Sequence, residues 1–326
     1  MIKVLVIALY ILVIAVLLIG HKSAALTIAY VGLIVIHTAM HPFVNALSFT
    51  LEETGHQVSY GLGRSMGSLA GGSLAFLTGY LVAWFSPDVI MYIALINLTL
   101  MTIVIFATGH HYKKCMVDGA PAETSVEVSM EEETSISMME FVSRNKIFMV
   151  MSLGIVGLFF GNVILENFTI QIVESIGGDT EQMGFVIFLL SIFEMPAMLG
   201  FNKLKEKFSY VFLLRVAAVF FTLKIIVMYM ADSMMMIYLA QLCQIPGYGL
   251  LFPALVSFID HIMEKSEAIR GQAIFTTALT VGSVLGSVFG GMILDAFSVK
   301  TLLGISSIIS IVGSLIIVAL INKIKK

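Results

Sequence analysis

Apolar residues in this chain come in long runs, separated by short clusters of polar and charged positions. The runs lie near residues 2–20, 24–47, 65–86, 89–109, 145–166, 183–201, 210–231, 234–259, 270–294 and 300–322. Each is about 18–25 residues long, which suits a helix crossing a hydrocarbon core about 30 Å thick. The pattern predicts ten membrane helices. The apolar/polar alternation of a transmembrane barrel strand is absent. The first run carries Lys3 at its start and precedes Ser23, Ala24 and Ala25, which resembles a secretory leader. It is longer than a leader's apolar core and a second span follows at once, so a retained helix is expected.

Composition sharpens this picture. Hydrophobic residues make up 59% of the 326 positions and charged residues 12%. Soluble domains run roughly 45–50% apolar and about 25% charged, so a water-soluble enzyme is excluded. No Walker A loop, G-x-S-x-G or H-E-x-x-H motif is present. The net charge of −3 gives no electrostatic support for a nucleic-acid partner. The partners implied are the lipid bilayer and a small solute; oligomeric state is left open. Cys115 lies in a charged loop and Cys243 inside an apolar run, which does not make a disulfide framework.

Charge placement sets an orientation. With the N-terminus cytoplasmic and ten alternating spans, only Lys22 and Lys300 fall in outer loops, while Arg215 and Lys224 lie inside spans. The remaining Lys and Arg residues all fall in inner loops, as the positive-inside rule requires. Both termini are therefore expected in the cytoplasm, with the protein in a cell membrane of the bacterial inner-membrane kind.

The spans divide four and six. Residues 110–144 open with His110, His111, Lys113 and Lys114, then turn acidic from Asp118 to Glu140. They read as a solvated cytoplasmic linker with a short amphipathic piece near Ser137–Val142. The predicted layout is an incomplete four-span bundle over 1–109, the linker over 110–144, and a six-helix bundle over 145–326. The third and ninth spans end alike, at Gly79–Ser86 and Gly291–Ser298, each opening with Gly and closing on Phe-Ser. If these are equivalent members of two repeats, the first repeat lacks its first two helices.

Several residues carry a resemblance to the major facilitator superfamily over nearly the whole chain. Tyr60, Gly61, Arg64, Gly67 and Ser68 are similar to the start of helix five in its oligosaccharide, nucleoside and phenylpropionate branch. Glu194 with Pro196 resembles that branch's acidic site in helix eight. Lys224 stands where the branch often carries arginine. Gln244-Ile245-Pro246 resembles a kink in helix ten, and Arg270-Gly271-Gln272-Ala273 the start of helix eleven. The resemblance implies an all-α polytopic membrane protein, a major-facilitator-type helical bundle, working as a secondary transporter by proton symport and alternating access. It implies no cofactor beyond the coupling proton. The segment Gly200–Lys207 is a degenerate form of the family's loop motif. Gln241 and Gln244 stand where galactoside symporters carry His and Glu, so a galactoside-type proton site is not implied.

An ionisable group in hydrocarbon costs at least about 2.5–3.5 kcal/mol, which makes it a functional candidate. Glu194 lies eleven residues into its span and Lys224 fourteen into the next, so their depths differ by roughly 5–8 Å, within reach of long side chains. Glu194 reads as a proton carrier or substrate acceptor with Lys224 as counter-charge; the alternative is a structural ion pair. Arg215, near its helix start, is expected to snorkel to the inner surface.

His37, His41 and Asn45 recur at four-residue spacing on one face, which should look into a bundle rather than lipid. They read as solute contacts, a proton relay through the histidines, or interhelical hydrogen bonds. Two histidines without a carboxylate do not make a metal site. Tyr238, Gln241 and Gln244 form a second polar stripe beside Pro246, Gly247, Gly249 and Pro253, where the span should bend. Asn162 and Glu166 read as rim contacts. Gly67 with Gly71, and Gly282, Gly286 and Gly290, have the spacing of helix-packing faces. Other readings are a truncated, non-transporting membrane protein and a ten-helix exporter of two five-helix repeats, though the linker falls after the fourth span, not the fifth.

Overall fold

The computed structural model describes residues 2–18, 25, 27–36, 60–118, 138–263 and 265–323. His37, His41 and Asn45 lie outside these residues. Every regular element described is helical. In chain order they are α1 (Ile2–Leu18), α2 (Thr27–Ile36), α3 (Tyr60–Trp84), α4 (Val89–Asp118), α5 (Met138–Arg144), α6 (Lys146–Asn167) and α7 (Thr169–Ser175). Then come α8 (Thr180–Lys207), α9 (Tyr210–Met230), α10 (Met234–Ala240), a 3-10 turn (Gln241–Gln244), α11 (Tyr248–Ile262), α12 (Lys265–Ala296) and α13 (Val299–Leu320). Eight stretches among the described residues are long and apolar enough to cross a bilayer, and α1 and α2 add shorter apolar helices.

Two boundaries depart from the sequence pattern. The fourth helix is expected to stop at residue 109, yet α4 continues to Asp118. Hydropathy marks where a helix leaves the apolar layer, not where its backbone hydrogen bonding ends. The eighth span is expected as one helix over 234–259. It is instead α10, the 3-10 turn and α11, broken around Pro246 and Gly247. The expected amphipathic piece of the linker is α5, whose Phe141 is fully buried.

The chain forms two compact units. The first comprises Met1–Gly63 and Tyr80–Ser129. In it α1 packs on α4 through Val6, Leu9, Val13 and Leu98, and Tyr10 Oη donates to Thr99 Oγ1 at 3.0 Å. The second comprises Arg64–Gly79 and Met130–Lys326 and holds the main core.

In the second unit α6 is clasped on two faces. Gly154, Gly157 and Gly161 share one face of α6 and meet α13: a Cβ on Gly154 would lie 2.7 Å from Gly313 O, and one on Gly157 3.0 Å from Ile309 O. Val156 and Phe160 lie about a third of a turn around the helix and meet α12. There a Cβ on Gly282 would lie 2.5 Å from Val156 O, and one on Gly286 2.5 Å from Phe160 O. Within a bilayer no hydrophobic force separates helix from lipid, so such close backbone approach supplies much of the association energy.

A second close contact joins the middle of α3 to α8. A Cβ on Gly72 would strike Ser191 Cβ at 2.5 Å, and one on Gly79 would lie 2.7 Å from Thr180 O. Gly67 and Gly71 are the expected packing pair, but nothing among the described residues lies within 4 Å of a Cβ at either. The close contact uses Gly72, one residue and about 100° further around the helix.

These contacts separate the glycines by experiment. Gly282→Ala and Gly286→Ala are each expected to lower the stability of the purified protein by about 1–3 kcal/mol, the usual effect of overpacking. Gly67→Ala and Gly71→Ala should change it by less than about 1 kcal/mol. Thermal denaturation of the four variants in one detergent is the check; equal losses at all four positions would contradict this packing.

Candidate functional site

Glu194, Lys224 and Gln244 come from three different elements of the second unit and meet in its interior. Glu194 is on α8, whose start is set by a capping box between Asp179 and Gln182 and whose end carries Lys205 and Lys207. Lys224 is on α9, capped by Ser209. Gln244 closes the 3-10 turn. Their exposures are 7%, 4% and 1%, so water does little to solvate them.

The protein replaces that water with a chain of side chains. Lys224 Nζ donates to Gln244 Oε1 at 2.8 Å, and Gln244 Nε2 donates to Glu194 Oε1 at 2.8 Å. Ser68 Oγ, from α3, donates to Glu194 Oε2 at the longer distance of 3.4 Å. The counter-charge relation expected between Glu194 and Lys224 therefore runs through an amide: the ion pairs shown among the described residues do not include a direct contact of the two. Hydrogen bonds to charged groups are worth about 1.5–3 kcal/mol each, and losing one inside the protein leaves an unsatisfied charge.

Backbone packing holds these groups at one level. Gly249 of α11 lies under Glu194, where a Cβ would be 2.9 Å from its carbonyl oxygen. Thr222 Oγ1 of α9 donates to Ser310 O of α13 at 3.1 Å, which fixes α9 two residues before Lys224. One helical turn from the polar layer lies an aromatic layer. Phe159 precedes Asn162, Phe221 precedes Lys224, and Tyr248 follows Gln244. Their ring centroids are 5.6, 6.4 and 6.2 Å apart, within the range of favourable aromatic pairs.

Two groups outside the expected set hydrogen-bond to residues within it. Glu166, at the exposed end of α6, accepts from Asn162 Nδ2 at 2.7 Å. The Asn162–Glu166 pair reads from sequence as a rim contact, because Glu166 ends its span, and the i, i+4 spacing is the signal that brings the two side chains together. Ser68 sits in the segment that resembles a family motif, but its contact with Glu194 depends on how α3 lies on α8.

Other candidates stand apart. Gln241 is 1% exposed, yet it turns away from Gln244: its Nε2 donates to Ile237 O at 3.1 Å and approaches Met228 Sδ at 3.8 Å. Its Oε1 is buried without a partner among the described residues. Tyr238 packs edge-on against Phe185 at 5.1 Å. Arg64 lies in the first turns of α3. Arg215 is half-buried, and its Nε lacks a partner among the described residues. Pro246 and Gly247 occupy the break, and Gly282, Gly286 and Gly290 pack against α6 and Phe168.

A family model described as the MFS_1 like family matches residues 1–323. The chain belongs to the MFS_1-like family. As an MFS_1-like protein it is a secondary transporter in a membrane and not an enzyme. Its fold is similar to a crystal structure of a mutant of the peptide transporter POT, with a TM-score of 0.64 and 13% sequence identity. The similarity covers 98% of this chain and 79% of that one. No curated protein matches the chain. Buried polar groups within a membrane bundle are candidates for the path of a solute or ion.

The amide bridge is testable by charge removal. Lys224→Met leaves Glu194 as an uncompensated charge and Gln244 Oε1 without its donor, and is expected to destabilise the purified protein by about 3 kcal/mol. The double variant Glu194→Gln/Lys224→Met should recover most of that loss. A double variant as unstable as the single one, by thermal denaturation, would show that the two charges are not coupled.

Proposed function

We propose that this MFS_1-like protein moves a small polar solute across the membrane by proton symport, with Glu194 as the proton-binding carboxylate and Lys224 as its counter-charge. The observation that carries the reading is the buried chain Glu194–Gln244–Lys224, contributed by three spans. A carboxylate held among apolar helices, with a cation one amide away, has two accessible charge states. It is a balanced pair when ionised and a net positive site when protonated. Alternating access turns that difference into coupling if each state favours a different arrangement of the helices.

Sugar, nucleoside and small organic acid are the solute classes that fit. Each presents hydroxyl, amide or carboxylate groups to Lys224, Gln244, Asn162 and Tyr238, beside the aromatic layer of Phe159, Phe221 and Tyr248. His37, His41, Asn45 and Arg64 complete the proposed pathway. The four-span segment over 1–109, the linker over 110–144 and the six-helix bundle over 145–326 form the proposed domain plan. The proposed setting is the bacterial cell membrane, with both termini on the cytoplasmic side as the loop charges favour.

Reconstitution tests the reading. The full chain in proteoliposomes is offered a panel of radiolabelled sugars, nucleosides and organic acids, with dipeptides added because of the fold shared with a peptide transporter. An inward proton gradient is expected to drive accumulation of at least one class. Glu194→Gln should abolish gradient-driven accumulation while retaining exchange of solute down its own gradient. Accumulation by the wild type that ignores the proton gradient would remove the symport claim.

A further inference from the structure

Gln244 occupies the point where its span stops being an α-helix. α10 ends at Ala240, Gln241–Gln244 make one 3-10 turn, and Pro246 and Gly247 separate the turn from α11. Proline has no backbone N–H, so the helical ladder cannot continue through it unbroken. The turn is seated closely on α9. A Cβ on Gly247 would lie 2.6 Å from Cys243 O and 3.1 Å from Phe221 N, one helical turn before Lys224.

The two ends of the Gln244 amide are chemically different, and both are committed at 2.8 Å. An ammonium group only donates and an ionised carboxylate only accepts. The amide therefore bridges them in a single orientation, with its oxygen toward Lys224 and its nitrogen toward Glu194. When a proton from solution joins the Glu194 carboxylate, the group becomes a neutral acid with an O–H of its own. The bond from Gln244 Nε2 then loses its charge assistance. The new O–H can sit on Oε2 and donate to Ser68 Oγ, which leaves only a neutral carbonyl oxygen facing Gln244 Nε2. Turning the amide to accept from the acid would point its N–H groups at the ammonium. The bridge is charge-assisted at both ends only while Glu194 is ionised.

We propose that Gln244 is a positioning residue that passes the protonation state of Glu194 to the break between α10 and α11. The bridge holds the 3-10 turn on α8 and α9 while Glu194 is a carboxylate, and releases the turn when Glu194 takes a proton. This rests on the reading of Glu194 as the proton-binding carboxylate. The charged groups that act on Glu194 are Lys224 from α9 and Glu166 from α6; α3 contributes the neutral Ser68. Within the turn itself, the Cys243 thiol lies within range of the Lys224 charge.

Cys243 makes the proposal measurable without a known solute. It is a free, half-buried thiol one residue from Gln244, and Cys115 is the only other cysteine in the sequence. The full chain with Cys115→Ser is reconstituted in nanodiscs and labelled with N-ethylmaleimide from mildly acidic to mildly alkaline pH. Rates are divided by those of glutathione at the same pH, which removes the ordinary ionisation of a thiol. The normalised rate is expected to rise about tenfold on acidification, the population change that one hydrogen bond to a charged group can produce. Glu194→Gln should hold the acid-side rate at every pH. Gln244→Met should also lose the pH response. If Gln244→Met does not give monodisperse protein, Gln244→Leu and Gln244→Ala make the same comparison.

A Gln244→Met protein that responds to pH like the wild type, when Glu194→Gln does not, overturns the role of Gln244 and leaves Glu194 as proton carrier. A wild-type rate that does not change with pH overturns the inference by itself. Gradient-driven uptake then decides separately whether Glu194 binds the coupling proton.

Discussion

Charge burial without water is the constraint on which the second unit depends. Glu194 and Lys224 are both nearly inaccessible, and neither has a salt link to the other. An apolar bundle tolerates them because an amide from a third span completes the circuit between them. That solution requires α8, α9 and the 3-10 turn to lie at one level. Gly247 against Phe221 and Gly249 under Glu194 are the contacts that put them there. The polar site and the helix packing are thus one arrangement.

The same arrangement explains why the broken span is tolerated. Unpaired backbone in a bilayer is expensive unless protein or a cavity satisfies it. Here the break sits against α9, and Gly247 N donates to Cys243 O at 2.9 Å, which recovers one bond across the proline. The break also turns Gln244 toward Glu194 and Lys224 while Gln241, three residues earlier, bonds back to its own helix.

Much of this is legible in the residue pattern, and what is not has a common cause. Apolar run length depends on local composition, so eight long spans follow from it directly. Pro246 and Gly247 announce the break, because their effect on the backbone is also local. Glu194 and Lys224 stand out as costly charges. What local pattern does not carry is orientation between helices. Four-residue spacing marks both Gly67–Gly71 and Gly282–Gly290 as packing faces, yet only the latter meets a neighbour among the described residues. Gly72, one position on, is the residue that α3 presents to Ser191. Ser68 enters the site for the same reason, through helix placement that no single span encodes.

The clasp around α6 bears on how the protein is made. α6 is made well before the helices that cover its two faces: Asn167 reaches Ser287 across 120 residues, and Gly157 receives Ser310 across 153. Spans enter the bilayer one at a time and associate afterwards, so α6 waits in lipid with both of its close-packing surfaces uncovered. Such long separations make this association a late event. A ribosome that stops before α13 leaves a chain whose central helix has lost one whole wall.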